Sequence, residues 1–416
     1  MLFRSIADGA SFRNLTTVVL PQSLAYIGEY AFRELGDGCT FISHASTPPA
    51  IEDNSILITR GSTLIVSIGK GIIEAYDHYR SYFSNIIARN TIGDFEYAPG
   101  WEGYVSWEEN TVAINKYLGN DSNVVIPESI EVNGEVFDVA EISNAAFIYN
   151  TTLTNITIPN SITNIGSSAF NGCTTLASID IPNSVTAIRA SAFEGCTALE
   201  SVNIPYNLET IEERAFSGCT ALTSIDFPSS VTTIGASAFS GCTALESVNL
   251  PANLQTIEDK TFSGCAAITN IDIPDNVTTI GASAFSGCTA LTRLYIPESV
   301  STIEAAFTSC NNITEIYSNS TTPAIIRTNT FTGTVRSNAT LYIPTGSLSA
   351  YKAASTRLTW GKFSNIVEMD FTGIYDIEAE DSFQGAKDVY YDLNGRIAVS
   401  PTKGIYIING KKIVIE

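Results

Sequence analysis

From residue 153 onward apolar and polar positions fall into a fixed cycle. In one turn of it, Leu222, Ile225 and Phe227 are apolar, Pro228 follows, Val231 and Ile234 come next, then Ala238-Phe239, Gly241 and Cys242. From Ile225 the apolar and polar residues alternate, as they do along a half-buried strand. Proline then ends the strand, because it has no N–H to give to a ladder. Val231 and Ile234 form a second inward pair, Ala238-Phe239 supplies the large filler, and Gly241 makes the turn that brings the chain back to Cys242. No segment is long or periodic enough for a standard helix, so the pattern predicts short strands and at most single helical turns.

The cycle repeats with a step of 23 residues. Pro182, Pro205, Pro228, Pro251, Pro274 and Pro297 keep it, as do Phe170, Phe193, Phe216, Phe239, Phe262 and Phe285. Cys173, Cys196, Cys219, Cys242, Cys265 and Cys288 do the same, while Phe307 and Cys310 each fall one residue early. A constant period of this size means a solenoid, in which each coil buries its apolar face against its neighbours. Successive coils also alternate, "SIDFPSSVTTIGASAF" with "SVNLPANLQTIEDKTF", so the true unit is 46 residues and duplication of a coil pair is its simplest origin.

The repeat L-x-x-I-x-I-P-x-x-V-x-x-I-x-x-x-A-F-x-x-C resembles the leucine-rich repeat. More closely, "IPxxVxxIGxxAFxxC" is similar to the BspA-like leucine-rich repeats of bacterial surface proteins, over roughly residues 125–317. The fold read here is mainly β: a right-handed leucine-rich-repeat solenoid of 23-residue coils with β-rich caps and a small C-terminal β-hairpin module. The resemblance implies an exported or surface-held protein that adheres to host proteins or other cells.

Boundaries follow from where the cycle fails. Residues 44–88 echo 318–367 through "TPPAI" and "TTPAI", and through "FSNII" and "FSNIV". The second copy directly follows the last regular coil and reads as the terminal cap a solenoid needs over its open apolar end. The first copy then caps an earlier array, so that residues 1–98 read as the end of a first array and the sequence as starting mid-solenoid. Residues 99–150 form a β-rich opening cap, with a hairpin signalled by Asn133-Gly134. Residues 151–317 are regular coils, and 99–367 make the second solenoid. Residues 368–416 form a β tail with Asn-Gly pairs at 394–395 and 409–410, similar in "DLNGR" and "GIYIINGKK" to C-terminal sorting segments of exported bacterial proteins.

Charge narrows the partners. The 416-residue chain has 22 Lys and Arg against 43 Asp and Glu, a net charge of −21. Nucleic acids and anionic membranes both demand a basic face, so neither is expected as a partner. No apolar run is long enough for a membrane-spanning helix, and the first residues lack the layout of a signal peptide. A monomer at the cell surface or outside the cell is expected.

Candidate chemistry within the array is thin. Equivalent cysteines on stacked coils lie near the strand spacing of about 4.7–4.9 Å with parallel side chains, whereas a disulfide wants Cβ atoms about 3.8 Å apart. A nucleophile would need a base, and the two histidines, His44 and His78, fall outside the array. A file of buried reduced thiols is the reading that remains, with no metal and no cofactor. The outward strand positions run Thr157, Asp180, Asn203, Asp226, Asn249, Asp272, Tyr295, Tyr317. Asp180 and Asp226 sit two coils apart, roughly 9.5 Å, at the very edge of what an inverting glycosidase uses. Interleaved Asn relieves repulsion between the carboxylates better than it suggests catalysis. Calcium bridging by this file is the weaker alternative, and no enzymatic activity is expected.

The outward face changes at its end. Ser and Asn give way to Arg293 and Glu315, and Asp and Asn give way to Tyr295 and Tyr317. Aligning "ATLYIP" with "TRLYIP" puts Tyr342 next in the same file. Stacked tyrosines flanked by one charge of each sign would form an apolar strip edged with hydroxyls, and Tyr and Arg dominate binding hot spots. The expected function is a binding or adhesion module for a host or cell-surface protein or glycan. A structural spacer suits the near-identical coils 176–290, and a carbohydrate-active enzyme on a coiled β scaffold is the third possibility. If the step is one coil, deleting the pair 199–244 leaves a folded, shorter solenoid, whereas deleting twelve residues breaks the stack of Phe193 on Phe216. Equal circular dichroism and equal melting for the two deletions would refute the coil assignment.

Overall fold

The computed structural model describes residues 15–28, 31–32, 39–45, 47–51, 63–66, 83, 92–98, 110–327, 329–354 and 360–371, together with the backbone of short strands at 5–6, 85–88, 90–91, 390–391, 397–398, 404–408 and 411–415. The chain separates into two compact units, one comprising residues 1–171 and 182–185, the other 172–181 and 186–416. Both are built from short parallel strands repeated at the coil step.

In the second unit most coils contribute two strands, the coil around Ile271 replacing the first by a single bridge at Asp272. The first falls where the sequence alternates: Ser178–Asp180, Ser201–Asn203, Ser224–Asp226 and Ser247–Asn249, with the central Ile or Val inward and the flanking polar residues outward. Parallel pairing joins the first two and the last two with equivalent residues opposite, Ile179 to Val202 and Ile225 to Val248. The second is the two-residue Thr-Ile strand after the proline loop, as in Thr210–Ile211 and Thr233–Ile234. Between them Leu222, Val231, Phe239 and Cys242 are all fully buried. The solenoid is thus a continuous apolar column in which every coil supplies the same set of fillers.

Aromatic stacking runs the length of this column. Consecutive rings from Phe193 through Phe216, Phe239, Phe262, Phe285 and Phe307 to Phe331 lie 5.2–5.7 Å apart, within 10° of parallel. These centroid spacings fall in the favourable range for offset stacking. At Phe331 the file ends, and Trp360 and Phe363 close over it at 5.5 and 5.6 Å. Trp360 meets its polar requirement by donating its indole N–H to the Ala324 carbonyl, 2.8 Å, and Tyr351 donates to Ser320 at 2.8 Å. Two six-residue helices, Gly333–Asn338 and Leu348–Ala353, frame this closure, the first capped by Thr332.

The cysteines sit beside the rings. All eight are free and buried. Cys219, Cys242 and Cys265 each direct Sγ at the carbonyl of the phenylalanine one coil back, at 3.2, 3.2 and 3.1 Å. The thiol therefore fills space and satisfies a carbonyl of the neighbouring coil. Burial pushes Cys242 up to about 12 and raises Cys196 and Cys265 further still.

The 46-residue alternation has a steric cause. In one kind of coil the residue after the Thr-Ile strand is Gly235 or Gly281. A Cβ at either would come within 2.7 Å of a backbone nitrogen of the preceding coil, that of Glu213 or Asp259. In the other kind this residue is Glu212 or Glu258, and acidic side chains reach across to neighbouring backbone. Glu212 accepts from the Ala190 N–H at 2.9 Å, and Asp259 accepts from Ala282 at 2.6 Å. Where Asp259 meets Gly281, an acidic arm lies against a glycine gap. Glu212 instead meets Arg189, which holds the glycine place in its coil and pairs with it at 2.9 Å.

The first unit holds a parallel ladder of Thr17–Leu20, Thr40–Ser43, Thr63–Val66 and Asn85–Ala88, in register throughout. Phe32, Phe41 and Phe83 meet edge to face behind it, at 5.1 and 5.0 Å. Its strand Ser129–Val132 turns through Asn133-Gly134, both at positive φ, into Glu135–Ile142, the hairpin expected from that pair. Phe147 then starts a stack between Tyr117 and Phe170, at 5.1 and 5.0 Å. Near the C-terminus, Gly404–Ile408 and Lys411–Ile415 pair antiparallel, with Tyr390–Tyr391 on the other side of the former. The Asn-Gly pairs at 394–395 and 409–410 and residue His78 lie outside the described residues.

Disulfide reagents must reach a thiolate to react, so thiols this fully buried should be silent in the native state. All seven array cysteines, Cys173 to Cys310, should resist labelling at pH 8 and all should label once denatured without reductant. Fewer than seven in the denatured protein would show pairing, and labelling at the native rate of a free peptide thiol would show that the file is open.

Candidate functional site

The strands Arg293–Ile296, Glu315–Ser318, Thr340–Pro344 and Asn365–Met369 form a four-stranded parallel sheet, longer-stranded than the coils before it. Its register places Arg293 opposite Glu315 and sets Tyr295, Tyr317, Tyr342 and Val367 in one row. The row is joined to the polar outward file by single bridges from Asn249 to Asp272 and from Asp272 to Tyr295. All five residues singled out from the sequence therefore lie on neighbouring strands of one sheet.

Their geometry is partly as expected. Tyr317 and Tyr342 stack with centroids 4.6 Å apart and rings 6° from parallel. Arg293 Nε donates to Glu315 Oε2 at 3.0 Å, with both side chains about a quarter to a third exposed. At that exposure the pair orients the strip more than it stabilises the fold. One expectation fails. Tyr317 is not on the surface: it is wholly buried, packed with Met369 and flanked by Tyr295, Tyr342 and Phe371. Only Tyr295 and Tyr342 of the three remain partly accessible.

The cover comes from residues the tyrosine spacing could not reveal. Val367, Met369 and Phe371 alternate with polar neighbours after the cap, the signature of one more strand presenting apolar residues on one face. Because Val367 lies opposite Tyr342, that face is the tyrosine face. The Tyr317 hydroxyl beneath it makes no well-formed hydrogen bond. Burial pushes its pKa up, and the nearby Glu315 carboxylate adds to the effect. That carboxylate is too poorly aligned to offset the burial in full; a buried hydroxyl with no partner costs roughly 1–3 kcal/mol.

Elsewhere the outward file remains polar and plain. Asp180, Asp226 and Asn249 are exposed, and no three His, Cys, Asp or Glu among the described residues come together as metal ligands. No helix among the described residues is long and apolar enough to cross a membrane.

The family model for the BspA type leucine rich repeat region matches six copies, over residues 8–68, 140–265 and 211–338. The chain belongs to this family. A leucine-rich repeat protein from Bacteroides ovatus has a solved structure 27% identical to this repeat protein, covering 61% of this chain and 70% of its own at a TM-score of 0.50. The leucine-rich repeat protein of T. pallidum is 31% identical over 49% of this chain and 90% of its own, TM-score 0.43. A leucine rich cell surface protein of Faecalibacterium prausnitzii is 24% identical over 68% and 95%, TM-score 0.45. No curated protein matches. The BspA-type repeat thus accounts for the coil, while the tyrosine sheet lies where regular coils give way to the cap.

Replacing Tyr317 by phenylalanine removes the poorly bonded hydroxyl and keeps the ring stacked on Tyr342. The variant should be as stable as the native chain, or more stable by about 1 kcal/mol. Chemical denaturation measures this. A loss above about 1 kcal/mol would mean that the hydroxyl is satisfied in solution.

Proposed function

We propose that this BspA-type repeat chain is a non-catalytic binding module of a secreted or cell-surface protein, recognising a host or cell-surface protein or glycan at its tyrosine sheet. One observation carries the reading: the outward face, polar and repetitive through Asp272, changes at Arg293–Glu315 and Tyr295–Tyr342 to aromatic rings beside a fixed charge pair. Rigid aromatic surface costs little conformational entropy to present, and a bidentate-capable guanidinium gives direction. Tyr317 serves from behind, holding its neighbours flat. The surface location rests on the family, whose repeats resemble those of bacterial surface proteins. A net charge of −21 favours partners that are neutral or basic.

The spacer reading has its own support in the near-identity of the coils from 176 to 290, which offer little local detail for recognition. A screen of the purified chain against matrix proteins and glycans, repeated with Tyr295→Ala/Tyr342→Ala, separates the two. Binding should weaken at least tenfold, about 1.4 kcal/mol, with circular dichroism unchanged. A ligand that binds the double variant equally well would move the site elsewhere, and no ligand at all would leave the spacer.

A further inference from the structure

In the second unit the Thr-Ile strands form a file of their own, and that file is broken once. Ala187–Ile188, Thr210–Ile211 and Thr233–Ile234 pair in succession, and Thr256–Ile257, Thr279–Ile280, Thr302–Ile303 and Ile325–Ile326 pair in succession. Thr233–Ile234 and Thr256–Ile257 do not pair. At the intact steps on either side, an N–H two residues before each isoleucine, and another just after it, donate one coil back: Thr232 to Glu209 and Gly235 to Ile211, then Thr278 to Gln255 and Gly281 to Ile257. At the broken step the corresponding donors are the Gln255 and Glu258 N–H groups and the acceptors the Thr232 and Ile234 carbonyls. None of these four makes that bond. Backbone groups buried from water are paired almost without exception; Thr232, Gln255 and Glu258 are exposed, so their groups are open to water or to a ligand.

The gap is roomy and its walls have a consistent chemistry. An open depression of about 850 Å³ covers it, lined by Thr232, Thr233, Asn253, Gln255 and Thr256 and reaching Asn276 and Thr278 of the next coil. Leu254 and Ile234 make an apolar floor, and Glu258 is the one charged residue of the lining. Thr233 is exposed here, whereas its equivalents Thr210 and Thr256 are half-buried. The volume is that of an ordinary small-molecule site.

Both ends of the gap are stitched. On one side Asn253 Nδ2 donates to the Ser229 carbonyl at 3.1 Å. On the other Ser237 N–H donates to Asp259 at 2.9 Å, and the ring stack of Phe239 on Phe262 continues unbroken. The break is therefore closed at both ends and opens outward into the depression that covers it. A through-running peptide strand, which would otherwise suit unpaired ladder edges, has no way past either stitch. A compact molecule carrying groups that both donate and accept does fit, because it can satisfy amide N–H, carbonyl, hydroxyl and side-chain amide without a fixed polarity.

We propose that this depression is a binding site for a neutral mono- or disaccharide, held by Gln255, Thr233, Thr256 and the free backbone groups of Thr232, Gln255 and Glu258. It is separate from the tyrosine sheet and does not depend on the function proposed there. Near-absence of charge selects neutral sugars over uronic or sialic acids, which Glu258 would repel. The apolar floor accepts a sugar's C–H face.

The test uses the whole chain and a panel of neutral mono- and disaccharides, with glucuronic acid as the charged comparison, read by ligand-observed NMR and backbone hydrogen exchange. One or more neutral sugars should bind, glucuronic acid at least tenfold more weakly. The Gln255 and Glu258 amides should exchange fast in the free protein and slow by tenfold or more when the sugar is bound. Gln255→Ala/Thr233→Val should weaken binding at least tenfold while leaving the melting temperature and the exchange of the Phe239 amide unchanged. Slow exchange of Gln255 and Glu258 in the free protein would show that the ladder closes in solution and would overturn the proposal. So would a panel with no binder, or a sugar whose affinity survives the double variant. A short peptide that protects the two amides where no sugar does would overturn the saccharide assignment.

Discussion

Every coil depends on the next being one strand spacing away with the same side chain at the same place. Phe239 is buried because Phe216 and Phe262 lie above and below it, and Cys242 because the Phe216 carbonyl lies within reach of its thiol. A single coil has almost nothing else to bury against. The repeat is therefore less a preference for a shape than a condition on neighbours, and ends need residues of a different kind. Phe331, Trp360 and Phe363 meet that need at one end of the second unit, where large rings replace the missing next coil.

Much of this was legible beforehand. The strict step of Pro, Phe and Cys fixes the stacking partner of every inward residue, so the column, the free thiols and the Asn133-Gly134 hairpin could be read from spacing. Register in the tyrosine row was equally readable, because "TRLYIP" and "ATLYIP" align without a gap. The burial of Tyr317 was not. It depends on Met369 and Phe371, which lie beyond the repeat, and a repeat consensus speaks only of residues that recur. Attention to the alternation of Val367, Met369 and Phe371 would have supplied the missing cover.

The break beside Thr233 marks a different limit. Nothing in the period distinguishes the step from 233 to 256, since Thr and Ile hold their places on both sides. On one side of the break Phe227 stands where most other coils carry isoleucine, and it presses edge-on against Phe239 of its own coil, 5.6 Å away. A periodic pattern records averages over coils, and a single larger side chain can change one interface without disturbing the pattern. Such departures within a regular array are where individual character enters a repetitive scaffold.

The interlock of acidic arm and glycine gap bears on how such an array changes length over generations. Gly235 and Gly281 are needed because the coil before each presents its backbone too closely for a Cβ. Loss or gain of a single coil in the region from Glu212 to Glu304 would set two acidic coils, or two glycine coils, face to face. Loss or gain of two restores every neighbour. Recombination between near-identical stretches yields both products, but only the even ones pack, so the gene can be expected to drift in double steps and its relatives to differ by whole coil pairs.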